Sequence, residues 1–225
     1  LFRGKTKALA VWKEALSDQE LADLTYPTPT FPTFTLDFNT IAEQFTFARG
    51  SEATYVDAQG LIQSTASNNA PRLDYSTGAE AFLLEPQSTN LVTQSELFSD
   101  SFYIKDSGVV VGAKNNISPS GNANATKIDV TNNGRIYANI ATNTYYTSVF
   151  IKSGTFSHFK FVGSNVDLIA ETNANGSIQK FGNGWYRISV SYTGNRPFQI
   201  QAYPDGTYST HTTSGNYYIW GAQAE

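Results

Sequence analysis

Gly182–Tyr192 reads GNGWYRISVSY, and the parity of this stretch decides the fold. Asn183 and Gly184 form a tight-turn pair, after which Tyr186, Ile188, Val190 and Tyr192 share one parity while Trp185, Arg187, Ser189 and Ser191 share the other. Alternation of this length predicts a half-buried antiparallel strand with one apolar face. The other face is unusual. An outward Trp beside an outward Arg needs a reason when the inner face is already well supplied.

Working outward, turn signals recur about every ten residues from Glu96 onward: Ser120–Asn122, Asn133–Gly134, Asn175–Gly176, Asp205–Gly206 and Ser214–Asn216. Between them the pattern predicts strands at 126–130, 136–140, 145–152, 156–162, 177–181, 185–192, 198–203 and 217–223. Short strands at this spacing, without helical periodicity, predict an all-β antiparallel sandwich of jelly-roll type over 95–225. In Phe198–Tyr203 the inward set is Phe198, Ile200 and Ala202, leaving Gln199, Gln201 and Tyr203 outside. If the two outer faces belong to one sheet, Trp185, Arg187, Gln199, Gln201 and Tyr203 form a glycan-binding platform. Rings take the C–H face of a sugar, and planar amides and guanidinium take its hydroxyls. Covering about 100 Å² of apolar surface contributes roughly 2–3 kcal/mol, so a single site binds at millimolar to micromolar level. The alternative for the same face is a contact with another module or subunit, where aromatics and Arg are also enriched. Tyr217, Tyr218 and Trp220 are apolar in either parity and read as a central strand buried on both sides.

Composition agrees with a β-rich, neutral surface: 40% hydrophobic, 14% aromatic and only 15% charged. The net charge of −4 and the scattered Lys and Arg argue against nucleic-acid partners. The absence of cysteine removes disulfides, thiol catalysis and thiolate metal sites. No run is long enough for a membrane helix, so no membrane insertion is expected. A chain opening at Leu1 without a methionine reads as a fragment or processed product, with any targeting signal upstream.

Upstream, Ser17 and Glu20 form a capping box with Leu16 and Leu21 as its staple, predicting a short helix from Asp18 to Leu24. Leu9 and Val11 suggest a strand before it. YPTPTFP at 26–32 is a semi-rigid linker inside a boundary at 26–33. Residues 34–94 read as a small irregular β-rich module, with a hairpin loop at Asp57–Gly60 and Arg49, Asp57, Arg72, Asp74 and Glu85 available to pair across short strands.

No hydrolase elbow, zinc-binding helix motif or phosphate-binding loop occurs. His158 and His211 are far apart in sequence, and Asp37, Asp57, Glu80, Asp129, Asp167 and Asp205 fall mostly beside turns, where backbone hydrogen bonding explains them. No catalytic residue, metal ligand or cofactor is expected; a structural calcium is conceivable without a supporting motif. The sequons at Asn116, Asn124 and Asn175 are ordinary in so Asn-rich a chain.

Several segments resemble known families. ALSDQELADL at 15–24, with the strand before it, resembles the closing elements of laminin-G-like, concanavalin-type lectin domains, which places the end of an upstream lectin-like domain at 1–25. FARGSEATYVDAQGLIQSTASNNAPRLDY followed by FLLEPQSTNLVTQSELFS, within 47–99, closely resembles a segment of tail-fibre and spike proteins of tailed bacteriophages. SPSGNANATKI, SVFIKSG, GNGWYRISVSY and GNYYIWGAQAE together resemble the C-terminal jelly-roll carbohydrate-binding modules of those proteins. The resemblance implies a non-enzymatic, receptor-binding virion protein on an exposed tail or capsid appendage. Its partners would be host cell-surface polysaccharide and other virion proteins, in a homotrimer. The alternatives are a purely structural assembly module, or an accessory carbohydrate-binding module of a glycan-degrading enzyme.

Overall fold

The structure, a computed structural model, describes residues 4–6, 46–50, 52–65, 67–85, 88–140, 144–193 and 197–225. The expected strand at Leu9–Val11, the capped helix and the Pro-rich linker lie outside the described residues. The chain divides into two compact units, Leu1–Pro86 and Gln87–Glu225.

The first unit holds β1 (Gly4–Thr6), β2 (Thr54–Val56), β3 (Ile62–Ser64), β4 (Leu73–Asp74) and β5 (Ala81–Leu84). β1, β5 and β4 form one sheet in that order, and β2 and β3 form a hairpin. The hairpin loop is organised by Asp57, whose carbonyl accepts from Gly60 N–H and whose Oδ1 accepts from Gln59 and Leu61 N–H, all at 2.8–2.9 Å. Arg72 and Glu85 pair at 2.9 Å. Arg49 instead donates to the carbonyls of Ser67, Asn68 and Ala70, and Asp74 accepts from Val56 N–H at 3.0 Å. Strands this short leave many main-chain groups without a ladder partner, so charged side chains serve as their caps.

The second unit is an all-β sandwich of two antiparallel six-stranded sheets. Its strands are β6 (Ile104–Lys105), β7 (Val109–Ile117), β8 (Ala123–Val130), β9 (Arg135–Ala138), β10 (Thr144–Ser153), β11 (His158–Phe161), β12 (Ser164–Asp167), β13 (Thr172–Asn173), β14 (Gly176–Lys180), β15 (Trp185–Thr193), β16 (Phe198–Tyr203) and β17 (Gly215–Ala224). The first sheet runs β14-β15-β10-β17-β8-β7 and the second β13-β12-β11-β16-β9-β6. Stripped of edge strands, the orders β8-β17-β10-β15 and β9-β16-β11-β12 are those of a jelly roll, two Greek keys folded face to face. The Asn183–Gly184 turn forms as predicted, with positive φ at both residues (60° and 78°), and it joins β14 to β15.

The core lies between the sheets. Ile128, Val149, Ile151, Ile188 and Ile219 come from the first sheet and Ile136, Phe159, Phe161, Phe198 and Ile200 from the second, all fully or almost fully buried. The predicted inner parities therefore hold for β15 and β16. β17 departs from simple alternation. Two steps along β10, from Phe150 to Ser148, are matched by three along β17, from Trp220 to Gln223. The extra residue is a β-bulge at Gly221, whose φ is +61°. A Cβ there would lie 3.2 Å from Phe150, a second reason for glycine.

Candidate functional site

Register places the outer face of the first sheet in rows. Trp185, Lys152, Tyr218 and Lys127 are cross-strand neighbours on β15, β10, β17 and β8. The next row is Gln179, Arg187, Phe150 and Trp220, and the one after it Ser177, Ser189, Ser148 and Gln223. Trp185, Phe150 and Trp220 are buried, at 0%, 5% and 9% exposure, yet none belongs to the core between the sheets. They form a second apolar layer on the outside. Phe150 packs edge-on against Trp220 (5.4 Å) and Phe181 (5.0 Å), with the Arg187 guanidinium 5.8 Å from its ring centre.

A polar array crosses this layer. Arg187 Nη2 donates to Gln223 Oε1 (2.9 Å) and Ser148 Oγ (3.1 Å), and Nε also faces Ser148 Oγ (3.3 Å). Ser148 Oγ donates to Gln223 Oε1 at 3.3 Å, and Tyr146 O–H donates to Ser189 Oγ, which contacts Ser177 Oγ at 2.7 Å. Four neighbouring strands thus hold one guanidinium, one amide and several hydroxyls in fixed orientation. Chemically this is a set of planar and rotatable hydrogen-bonding groups beside rings, with Tyr146 46% exposed and Tyr218 partly so.

The five predicted residues do not form one platform. β15 and β16 belong to opposite sheets, so Trp185 and Arg187 lie on one outer face and Gln199, Gln201 and Tyr203 on the other. Trp185 is also fully buried, and its indole N–H donates to the Ile117 carbonyl at 3.0 Å. Successive bulges take β7 out of register with β8 beyond Val111, and the end of β7 supplies that carbonyl. Trp185 is therefore a structural anchor. Tyr203 is 3% exposed, between the rings of Tyr208 (5.5 Å) and His211 (5.7 Å), with Lys160 Nζ 5.1 Å from its centre. Gln201 is buried and donates to the Asn133 carbonyl at 3.0 Å; Gln199 is half-buried opposite Tyr137. Arg187 alone of the five keeps a place in the array.

Sequence reasoning missed Ser148, Phe150, Lys152, Trp220 and Gln223. The signal in SVFIKSG is the mixed parity Ser148-Phe150-Lys152, the same aromatic-plus-cation mixture that Trp185 and Arg187 show. In β17 the bulge hides the parity, so Trp220 reads as core.

On the second sheet, His158 Nε2 lies 3.4 Å from Asp167 Oδ2, and Ser157 Oγ is 3.2 Å from His158 Nδ1. Burial alone would raise the Asp167 carboxyl, but the Ala170 and Ile169 amides and His158 outweigh it and hold it below its usual range. With one carboxylate oxygen capping two amides, this trio ties a turn to a strand. Among the described residues no three acidic or histidine side chains gather as a metal cluster. A cavity of about 340 Å³ lined by Val162, Gly163, Ser164, Asn175 and Val190–Thr193 includes none of the five predicted residues.

No protein-family model and no curated protein matches this chain. Among solved structures it is similar to the enzymatically active domain of tailspike protein 4 of bacteriophage CBA120. That match is 13% identical with a TM-score of 0.36, over 60% of this chain and 21% of that one. It is also similar to the CBM22-1–GH10 modules of the Clostridium thermocellum N-terminal endo-1,4-β-D-xylanase 10B complexed with xylohexaose, at 17% identity and a TM-score of 0.33, over 55% of this chain and 26% of that one. The chain thus aligns with about a fifth to a quarter of either protein's length.

Proposed function

We propose that this chain is a non-enzymatic virion component of a tailed phage, part of a tail fibre or spike, whose jelly roll binds host surface glycan on the outer face of its first sheet. The observation that carries the binding role is the array of Arg187, Ser148 and Gln223 laid over Phe150 and Trp220. Planar groups held rigidly on adjacent strands lose little freedom on meeting sugar hydroxyls, which is what a preorganised site requires. From Tyr146 to Lys152 the face runs about 20 Å along β10, an oligosaccharide's length rather than a single ring's. The phage part of the reading is supported by the segment within 47–99 that resembles tail-fibre and spike sequences. Weak single sites suit such a role, because a homotrimeric fibre presents several copies and avidity multiplies them.

An array of bacterial surface polysaccharides probed with the full chain tests this. Arg187→Ala is expected to weaken binding by about tenfold or more, the loss of one charged hydrogen-bonding group, with the melting temperature nearly unchanged. If no glycan binds, or the variant binds equally well, the chain is a structural module of the virion instead.

A further inference from the structure

We infer that the glycan is anionic: the first sheet's outer face selects sugars bearing a carboxylate or phosphate ester, held by Arg187 and Lys152. This inference rests on the glycan reading above. Four basic side chains of the sandwich have a carboxylate partner: Lys114 with Glu96 (2.7 Å), Lys127 with Asp129 (2.7 Å), Arg135 with Asp106 (2.8 Å) and Lys180 with Glu171 (2.6 Å). Lys105 and Lys160 donate to main-chain carbonyls instead, and Arg187 and Lys152 have neither a carboxylate nor a main-chain carbonyl among the described residues, although the chain carries 19 acidic residues against 15 basic ones.

They are also neighbours. Arg187 stands opposite Phe150, and Lys152 follows two residues along the same face of β10. That diagonal spacing puts the two residues about 7–8 Å apart, within reach of one anionic group or two adjacent ones. Arg187 is only partly exposed. A guanidinium drawn out of water with neutral acceptors alone is incompletely compensated, and an arriving anion relieves that cost.

Both members of this pair keep unspent donors. Arg187 Nη1 has no partner among the described residues, nor does the Lys152 ammonium. Neither group can accept a hydrogen bond, so each calls for an acceptor. The acid at the end of the face, Glu225, accepts from Gln223 at 3.4 Å rather than from either cation. A ligand rich in acceptors and carrying negative charge satisfies both cations, whereas a neutral sugar leaves both charges uncompensated.

The test uses the full chain and an array with carboxylate-bearing, phosphate-bearing and neutral polysaccharides. Each acidic binder is repeated after carboxyl reduction or dephosphorylation. The expected result is binding in an acidic arm, at least about tenfold weaker once the acid is removed, and weakening as NaCl rises. Lys152→Gln is expected to lower affinity about three- to tenfold and flatten the salt dependence, with an unchanged melting temperature. Which acidic arm binds distinguishes carboxylate from phosphate. Equal binding to a neutralised glycan, a neutral-arm preference, or an unchanged salt slope in Lys152→Gln overturns the inference while leaving the glycan reading intact. No binding in any arm overturns both.

Discussion

The two outer faces of the sandwich draw on the same residue types and finish differently. On the second sheet, Tyr203, Lys160 and Gln201 are covered: Lys160 donates to the Tyr208 carbonyl at 3.2 Å, His211 Nε2 meets the Ala202 carbonyl at 2.9 Å, and the loop after Tyr203 lies against its ring. On the first sheet, Arg187, Lys152 and Tyr146 keep exposed surface over a buried layer of Phe150, Trp185 and Trp220. The difference comes from the connections. β16 leads into a long return, Pro204–Ser214, that folds back over its own sheet, whereas β14 reaches β15 through Phe181–Gly184 alone, whose Phe181 ring packs on Phe150. Polar residues on an outer face are therefore available for binding only where the neighbouring loops are short.

Three substitutions can break or sharpen that contrast, beginning with the largest effect. Trp185→Ala removes a fully buried ring and leaves the Ile117 carbonyl without its donor, so a loss of about 3–5 kcal/mol is expected in chemical denaturation. A stable Trp185→Ala would mean the buried layer of the first face is dispensable. Tyr203→Ala should cost about 2–4 kcal/mol and leave glycan affinity unchanged; loss of binding at full folding would move the site to the second face. Asp167→Asn is expected to cost about 1–2 kcal/mol at neutral pH, the size of charge-assisted bonds to two amides. Because the folded carboxyl titrates below its ordinary value of 3.8, its contribution is complete above that pH and disappears as pH falls through the folded value. The variant and the parent should therefore converge in stability in strong acid. A difference that persists there would assign the effect to packing.

The fold was largely legible in the sequence because the inner faces alternate cleanly: Tyr186-Ile188-Val190-Tyr192 and Phe198-Ile200-Ala202 point inward as parity requires. Eight strands were readable, with boundaries moved by a few residues. β6, β7, β12 and β13 were missed: Val109–Ile117 changes register three times against β8, and the other three are runs of two to four residues, too short to show a period. The site was much less legible. Parity assigns a residue to a face but not to a sheet, and Arg187 and Gln201 sit on consecutive strands yet on opposite sides of the sandwich core. Nor does parity show what lies over a side chain, which is why Trp185 reads as exposed and is not. Arg49 and Asp57, available to pair across short strands, are bonded instead to main-chain groups that those strands leave without ladder partners.

Gly221 has a consequence for how this surface tolerates change. In an uninterrupted strand, Trp220 and Gln223 would face opposite sides; the inserted glycine brings both to the outer face while Ala222 and Ala224 still enter the core. Deleting that one residue would restore plain alternation with every face kept, whereas keeping it and closing the bulge into regular strand would act as a reading-frame shift, turning Gln223 and Glu225 toward the interior and the two alanines toward solvent. Loop insertions elsewhere on this sandwich add or remove cover, but losing the left-handed backbone of Gly221 without losing the residue would exchange the outer face for the core at the end of a central strand.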